Sequence, residues 1–174
     1  MYKTEAIITK VENFKENHLS ISVYSSEYGQ KSLVVFGGKS KKKNSTYVKG
    51  SLNNIEFDNN NVCLSSTSIN KFKWFLFSKY ELKTIDYFCF LINKLLFLTD
   101  QNSNVVSYYL LLISKLNERS NYLPELLLLE LEILKASGYQ PDLNESVLKK
   151  IFNFHEKSNL KTYELIYEHL KDNK

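Results

Sequence analysis

Of the 23 basic residues in this chain of 174, only Arg119 is arginine. The cations are otherwise lysines, compact rotatable charges that suit phosphate contact better than the planar two-point reading of guanine edges or carboxylates. Cysteine is almost as scarce. Cys63 and Cys89 lie far apart and form no CxxC pair, which argues against a zinc knuckle and a disulfide scaffold, so both read as small core residues in a reducing cytoplasm. No apolar run reaches the roughly 18 residues of a membrane span. The most apolar stretch, residues 87–98, is broken by Asn93 and Lys94 and predicts a buried helix. The opening MYKTEAIITKVENF carries Lys3, Glu5, Lys10 and Glu12 where a secretory leader would be apolar, so no leader and no membrane partner are expected.

Catalytic chemistry is missing as well. An enzyme site needs a nucleophile, a base and an orienting group, or paired carboxylates, in one place. His18 falls in a polar loop, and His155 and His169 lie beside Glu156 and Glu168 near the end of the chain, all three reading as surface side chains. His-x-x-x-His and Glu-x-x-His spacings are absent, so no metal, no cofactor and no enzymatic activity are expected. Gly38-Lys39-Ser40 has the ending of a phosphate-binding loop, but Leu33 stands where the first glycine is required. The lysine- and asparagine-rich segment that follows also lacks the apolar period of the helix such a loop must open.

What is present divides into two halves. Residues 1–80 hold 12 lysines against six acidic residues, a net +6, whereas residues 81–174 carry 11 basic against 13 acidic residues, a net −2. A basic first half points to a polyanionic partner. The structural signal changes near the same place. Two-residue alternation at 5–9, 19–24 and 32–36, with shorter runs at 55–57 and 62–64, predicts five strands. Gly29 supplies the positive φ of a hairpin, and Asp58-Asn59-Asn60-Asn61 supplies turn chemistry. Five short strands in about 70 residues suggest a closed or nearly closed barrel of the OB type.

From about residue 72 the apolar period becomes three to four. Leu82, Ile85, Phe88, Cys89, Ile92, Leu95 and Leu96 mark one helix, and Val105, Tyr108, Tyr109, Leu112, Ile113 and Leu116 a second. Pro124 suits the first turn of a third helix with body 126–134, and Gly138 and Pro141 stop it. Two shorter helices are expected at 147–154 and 160–170. The fold class is therefore α+β, an N-terminal five-stranded OB-fold barrel over residues 1–71 followed by an all-helical domain over 72–174.

The strongest functional feature is the run Lys39, Lys41, Lys42 and Lys43, flanked by Lys31 and Lys49. An isolated charge run reads first as a solvated loop. Here it leaves a barrel strand at Gly37-Gly38, a pair that permits a bulge and close approach of another backbone. Small OB barrels bind single strands by combining a basic groove with exposed aromatics. Tyr2, Tyr24, Tyr28, Phe36 and Tyr47 are the candidate stacking surfaces, with Phe36 equally readable as core. Lys31, Lys39, Lys41, Lys42, Lys43, Lys49 and Tyr47 are thus the expected nucleic-acid contacts.

The segment 1–43 resembles the opening of the bacterial DNA repair protein family RecO, through Tyr2-Lys3-Thr4-Glu5-Ala6-Ile7, Glu16-Asn17, Glu27-Tyr28-Gly29 and the Gly-Lys-rich exit from the third strand. Residues 126–143 are similar to that family's leucine-rich helix and its turn, here Gly138-Tyr139-Gln140-Pro141-Asp142-Leu143, and residues 160–170 resemble its last helix more weakly. Many members carry a four-cysteine zinc insertion after this turn. The present chain runs on through Asn144-Glu145-Ser146-Val147, so the resemblance is to a short form without zinc. It implies a recombination mediator of the RecF pathway that binds single- and double-stranded DNA, anneals complementary strands and helps load RecA with RecR and the tail of single-strand-binding protein. Two other readings are a protein-docking adaptor with little DNA binding and an RNA-binding barrel, the latter marked by dependence on the 2′-hydroxyl.

Overall fold

The alternation in the first 70 residues becomes five strands, β1 (Tyr2–Phe14), β2 (His18–Ser25), β3 (Gly29–Val35), β4 (Leu52–Phe57) and β5 (Cys63–Ser68). The computed structural model describes residues 1–40, 45–69, 77–96 and 104–138. Neighbouring strands are antiparallel in the order β3-β2-β1-β4-β5. A parallel bridge between Val34 and Val62, with the Val34 N–H donating to the Asn61 carbonyl at 2.9 Å, joins the outer strands and closes the sheet into an OB-fold barrel. Closure needs β1 to serve two partners: its first half pairs with β4 and its second with β2. The handover is marked by a bulge at Thr9, where the register passes from Ile8–Val23 to Lys10–Ser22.

Alternate residues face the interior, so Ile21 and Val23, Leu33 and Val35, and Ile55 and Phe57 fill the barrel. The turns follow their residue types. Gly29 takes φ 63° and the Tyr28 N–H donates to Ser25 Oγ at 3.0 Å. Asp58 Oδ1 accepts from the N–H groups of Asn60 and Val62, both at 2.9 Å, while Asn61 sits at φ 58°. Gly37 and Gly38 differ in role. Gly37 needs its positive φ of 65°, whereas a Cβ on Gly38 would stand 2.9 Å from Leu19 Cγ, so the close approach is by a core side chain and not by another backbone.

Among the described residues three helices follow, α1 (Lys79–Leu95), α2 (Val105–Glu118) and α3 (Leu123–Ala136). Helix α1 starts three residues before Leu82 because Ser78 and Glu81 form a reciprocal cap: the Ser78 N–H donates to the Glu81 carboxylate and the Glu81 N–H to Ser78 Oγ. Arg119, the one arginine of the chain, ends α2 in the left-handed conformation at φ 53°. Pro124 lies in the first turn of α3 and Gly138 follows it at φ 83°. Among the described residues no helix is long and apolar enough to cross a membrane.

The chain divides into two units, Met1–Phe72 with Cys89–Asn102, and Lys73–Phe88 with Ser103–Lys174. The barrel unit therefore includes the second half of α1, which the sequence assigns to the helical domain. There the Cys89 thiol lies 3.9 Å from the Ile8 carbonyl, and Asn93 covers the bulge. Its Nδ2 donates to the Thr9 carbonyl at 3.1 Å and its Oδ1 accepts from Thr9 Oγ1 at 2.8 Å and from Gln30 Nε2 at 3.0 Å. In the second unit, burial of Tyr109, Leu112, Leu116, Leu129 and Ile133 aligns α2 and α3. The expected helices at 147–154 and 160–170, and the turn residues 139–143, lie outside the described residues.

Candidate nucleic-acid interface

At one end of the barrel three rings meet. Tyr2 stacks on Phe57 with centroids 5.2 Å apart and 27° between planes, and Tyr28 meets both edge-on at 5.5 and 5.6 Å. Their positions follow from topology: Tyr2 opens β1 opposite Phe57 on β4, and Tyr28 sits in the β2–β3 turn. Phe57 is buried, whereas Tyr2 remains 40 % exposed. Rings held edge-to-face are rigid and keep a face for a further planar group. With Lys31, Asp58, Asn59 and Asn61 they line a cavity of about 330 Å³. The hydrogen bond between Tyr28 and the Glu27 carboxylate pushes the phenol pKa up, so this hydroxyl is uncharged at neutral pH. The cavity thus offers an aromatic surface, one ammonium, the side-chain amides of Asn59 and Asn61, and the Asp58 carboxylate, one oxygen of which is engaged by the N–H groups of Asn60 and Val62.

A second concavity lies on the outer wall of the barrel. Thr9, Lys10, Val11, Ser22, Gln30, Lys49, Phe90, Asn93 and Lys94 line about 570 Å³. Three lysines reach it from three segments, β1, the β3–β4 connection and the second half of α1. Lys10 is ion-paired with Glu12 at 2.7 Å, both about half exposed. Phe90 and Lys94 are four apart and share one helix face. Neither Phe90, Lys10 nor Lys94 is among the residues that the sequence singles out for binding. The available signal was the interruption of the apolar run 87–98 by Asn93 and Lys94.

The lysine run leaves from a third place. Phe36 is 54 % exposed, which resolves its double reading in favour of a surface ring, and it meets the His18 ring edge-on at 4.9 Å. His18 begins β2 instead of lying in a loop, and its Nδ1 accepts the Gly37 N–H at 3.2 Å. Lys39 Nζ donates to the Lys15 carbonyl in the β1–β2 turn at 2.9 Å, and Lys15 lies over the Phe14 ring at 5.5 Å. Lys41, Lys42 and Lys43 lie outside the described residues.

Two expected stacking residues are corrected. Tyr24 is 2 % exposed and Tyr47 is 8 % exposed, so neither presents a face to a base. Tyr47 belongs to the barrel core, its hydroxyl 3.8 Å from Cys63 Sγ, and burial pushes its phenol well above the usual tyrosine range. Its work is anchorage. With the Thr46 carbonyl accepting from Asn53 Nδ2 at 3.0 Å and the Val48 carbonyl from Ser51 Oγ at 2.7 Å, it fixes the chain beyond the lysine run. Lys31, Lys39 and Lys49 are likewise not gathered in one groove: Lys31 lines the end cavity, Lys39 the β1–β2 turn and Lys49 the outer groove.

Residues 1–67, which span all of β1 to β4 and nearly all of β5, match the family model for the recombination protein O N-terminal domain. The barrel is similar to a RecO N-terminal domain. No curated protein shows a significant match to the chain. The matched residues are those of the sheet that the Val34–Val62 bridge closes.

Proposed function

We propose that this protein is a non-enzymatic DNA-binding recombination mediator that holds single and double strands, anneals complementary strands, and works with RecR and single-strand-binding protein in loading RecA. The reading is supported chiefly by one observation, a barrel matching the RecO N-terminal domain whose end cavity sets exposed Tyr2 and half-buried Tyr28 beside Lys31 and the β4–β5 turn. In OB folds the β2–β3 face and the β1–β2 and β4–β5 loops are the usual oligonucleotide surface, and aromatic stacking with lysine–phosphate contact gives sequence-tolerant affinity. Annealing then requires only that two polyanions be brought together with their charges screened and their bases exposed.

The test is a strand-annealing and strand-binding assay with complementary oligonucleotides across a salt series. Changing Lys39, Lys41, Lys42 and Lys43 to Ala is expected to weaken binding about equally for unrelated sequences and to flatten the salt dependence by about one unit per lost phosphate contact. Failure of the native chain to bind DNA at low salt would overturn the reading. A docking adaptor is the second reading, favoured by Leu111 and Leu128, 51 % and 45 % exposed on α2 and α3. Recovery of RecR or the tail of single-strand-binding protein without any DNA shift would establish it instead.

A further inference from the structure

We propose that the outer groove of the barrel binds the phosphodiester backbone of a second polynucleotide strand, on the opposite side of the sheet from a strand held at the end cavity. The inference rests on the DNA-binding reading above and assigns it a second site. Its basis is a pair of adjacent residues. Gln30 lines the outer groove and Lys31 the end cavity, and successive residues of a strand point to opposite faces. The two concavities share no lining residue, so occupation of one leaves the other open.

The groove has the chemistry of a backbone site. Lys10, Lys49 and Lys94 are all exposed and belong to three separate segments, so their ammonium groups surround the groove instead of trailing along one loop. The Lys10–Glu12 pair is no obstacle, since a half-exposed ion pair holds its partners weakly and exchanges readily for phosphate. Phe90, 37 % exposed, supplies one ring on which any base can stack. The wall beneath is rigid and reads nothing. Asn93 uses both ends of its amide on Thr9, Gln30 and the Cys89 carbonyl, so it shapes the surface without selecting a base. An acidic peptide fits less well, because carboxylates are held best by guanidinium forks and every cation here is lysine.

The experiment counts strands. The full chain is titrated with oligo-dT too short to reach both concavities, alongside a groove variant (Lys10→Ala, Lys49→Ala, Lys94→Ala) and an end-cavity variant (Tyr28→Ala, Lys31→Ala). The native protein is expected to saturate at two strands and each variant at one. The groove variant should also anneal complementary strands about tenfold more slowly, with a salt slope lower by about two. A triple Lys→Arg variant should keep both strands, and unchanged circular dichroism verifies that the substitutions, the half-buried Tyr28 included, leave the fold intact. The inference is overturned if the groove variant still binds two strands, if it anneals at the native rate, or if a poly-glutamate peptide is what the three lysines retain. Native saturation at one strand, abolished only by the end-cavity variant, would sink the second site and leave the DNA-binding reading standing. Native binding of no strand would sink both.

Discussion

In the barrel, the irregular points are held by polar side chains. Asn93 takes up the carbonyl freed at the Thr9 bulge, Asp58 folds the β4–β5 turn, and Asn53, fully buried, secures Thr46. Among the described residues of the helical unit, burial falls mainly on Leu, Ile, Val and Tyr along α2 and α3, and its buried side-chain contacts include Tyr87 to Glu130 at 2.6 Å and Thr84 to Tyr122 at 3.5 Å. The difference separates two ways of specifying a fold. A bulged, closed sheet depends on particular hydrogen bonds and on where a methyl is forbidden, because a one-residue slip sends every side chain to the wrong face. A helix pair depends on apolar area and tolerates exchange among residues of similar volume.

The largest test removes a core side chain from each unit. Leu33 and Leu112 are both completely buried, and Leu→Ala at either is expected to cost about 2–5 kcal/mol in urea unfolding. The consequences should differ. Leu33→Ala should take DNA binding with it, whereas folded Leu112→Ala should bind single strands with native affinity in fluorescence anisotropy. Equal loss of affinity in both variants would break the division of labour between the units.

A smaller change sharpens the same contrast. Gly38→Ala adds one methyl that meets Leu19 Cγ at 2.9 Å and Val35 Cγ1 at 3.1 Å, and both neighbours are already buried. Overpacking of this kind costs about 1–3 kcal/mol. Leu129→Met reshapes a fully buried side chain of α3 at nearly constant volume and should cost less than about 1.5 kcal/mol. Thermal unfolding of the two variants ranks them, and the reverse order would show that the helical unit is the more exacting of the two.

The same physics sets what could be read in advance. Alternation exposed the five strands and the three-to-four period exposed the three helices, because both signals are local. Fold class followed from their order. The lengths of β1 and the start of α1 were underestimated, since β1 is prolonged by pairing with two partners and α1 by the Ser78–Glu81 cap. The interface was less legible. Lysines Lys31, Lys39 and Lys49 are close in sequence yet line different places, because the turn at Gly37 and the burial of Tyr47 carry the chain around the barrel between them. Tyr47 looked like a surface ring because a tyrosine beyond a lysine run carries no mark of burial. Phe90 and Lys94 were hidden in a helix read as core throughout, and only the three-dimensional position of the Thr9 bulge turns their face into a groove wall.

The finest test uses two buried phenols. Burial pushes up the pKa of Tyr47 in the barrel and, by less, of Tyr122 in the helical unit, where the hydrogen bond with Thr84 opposes the rise. A folded value above the unfolded one means that the folded state keeps a proton which the unfolded state releases. The stabilisation is therefore complete below the ordinary value of 10.0 and is lost as pH climbs from there toward the folded value. At neutral pH, Tyr47→Phe removes only a weak hydroxyl–sulfur contact, so the cost should be about 1 kcal/mol or less. In alkali the order reverses. Native barrel stability should fall between about pH 10 and pH 11, while Tyr47→Phe should hold a flatter course, and Tyr122→Phe should alter the profile less. Lysine deprotonation begins in the same range and contributes equally to native and variant chains. A Tyr47→Phe curve that declines as steeply as the native one would assign the alkaline loss to the lysines and remove the buried phenol from the account.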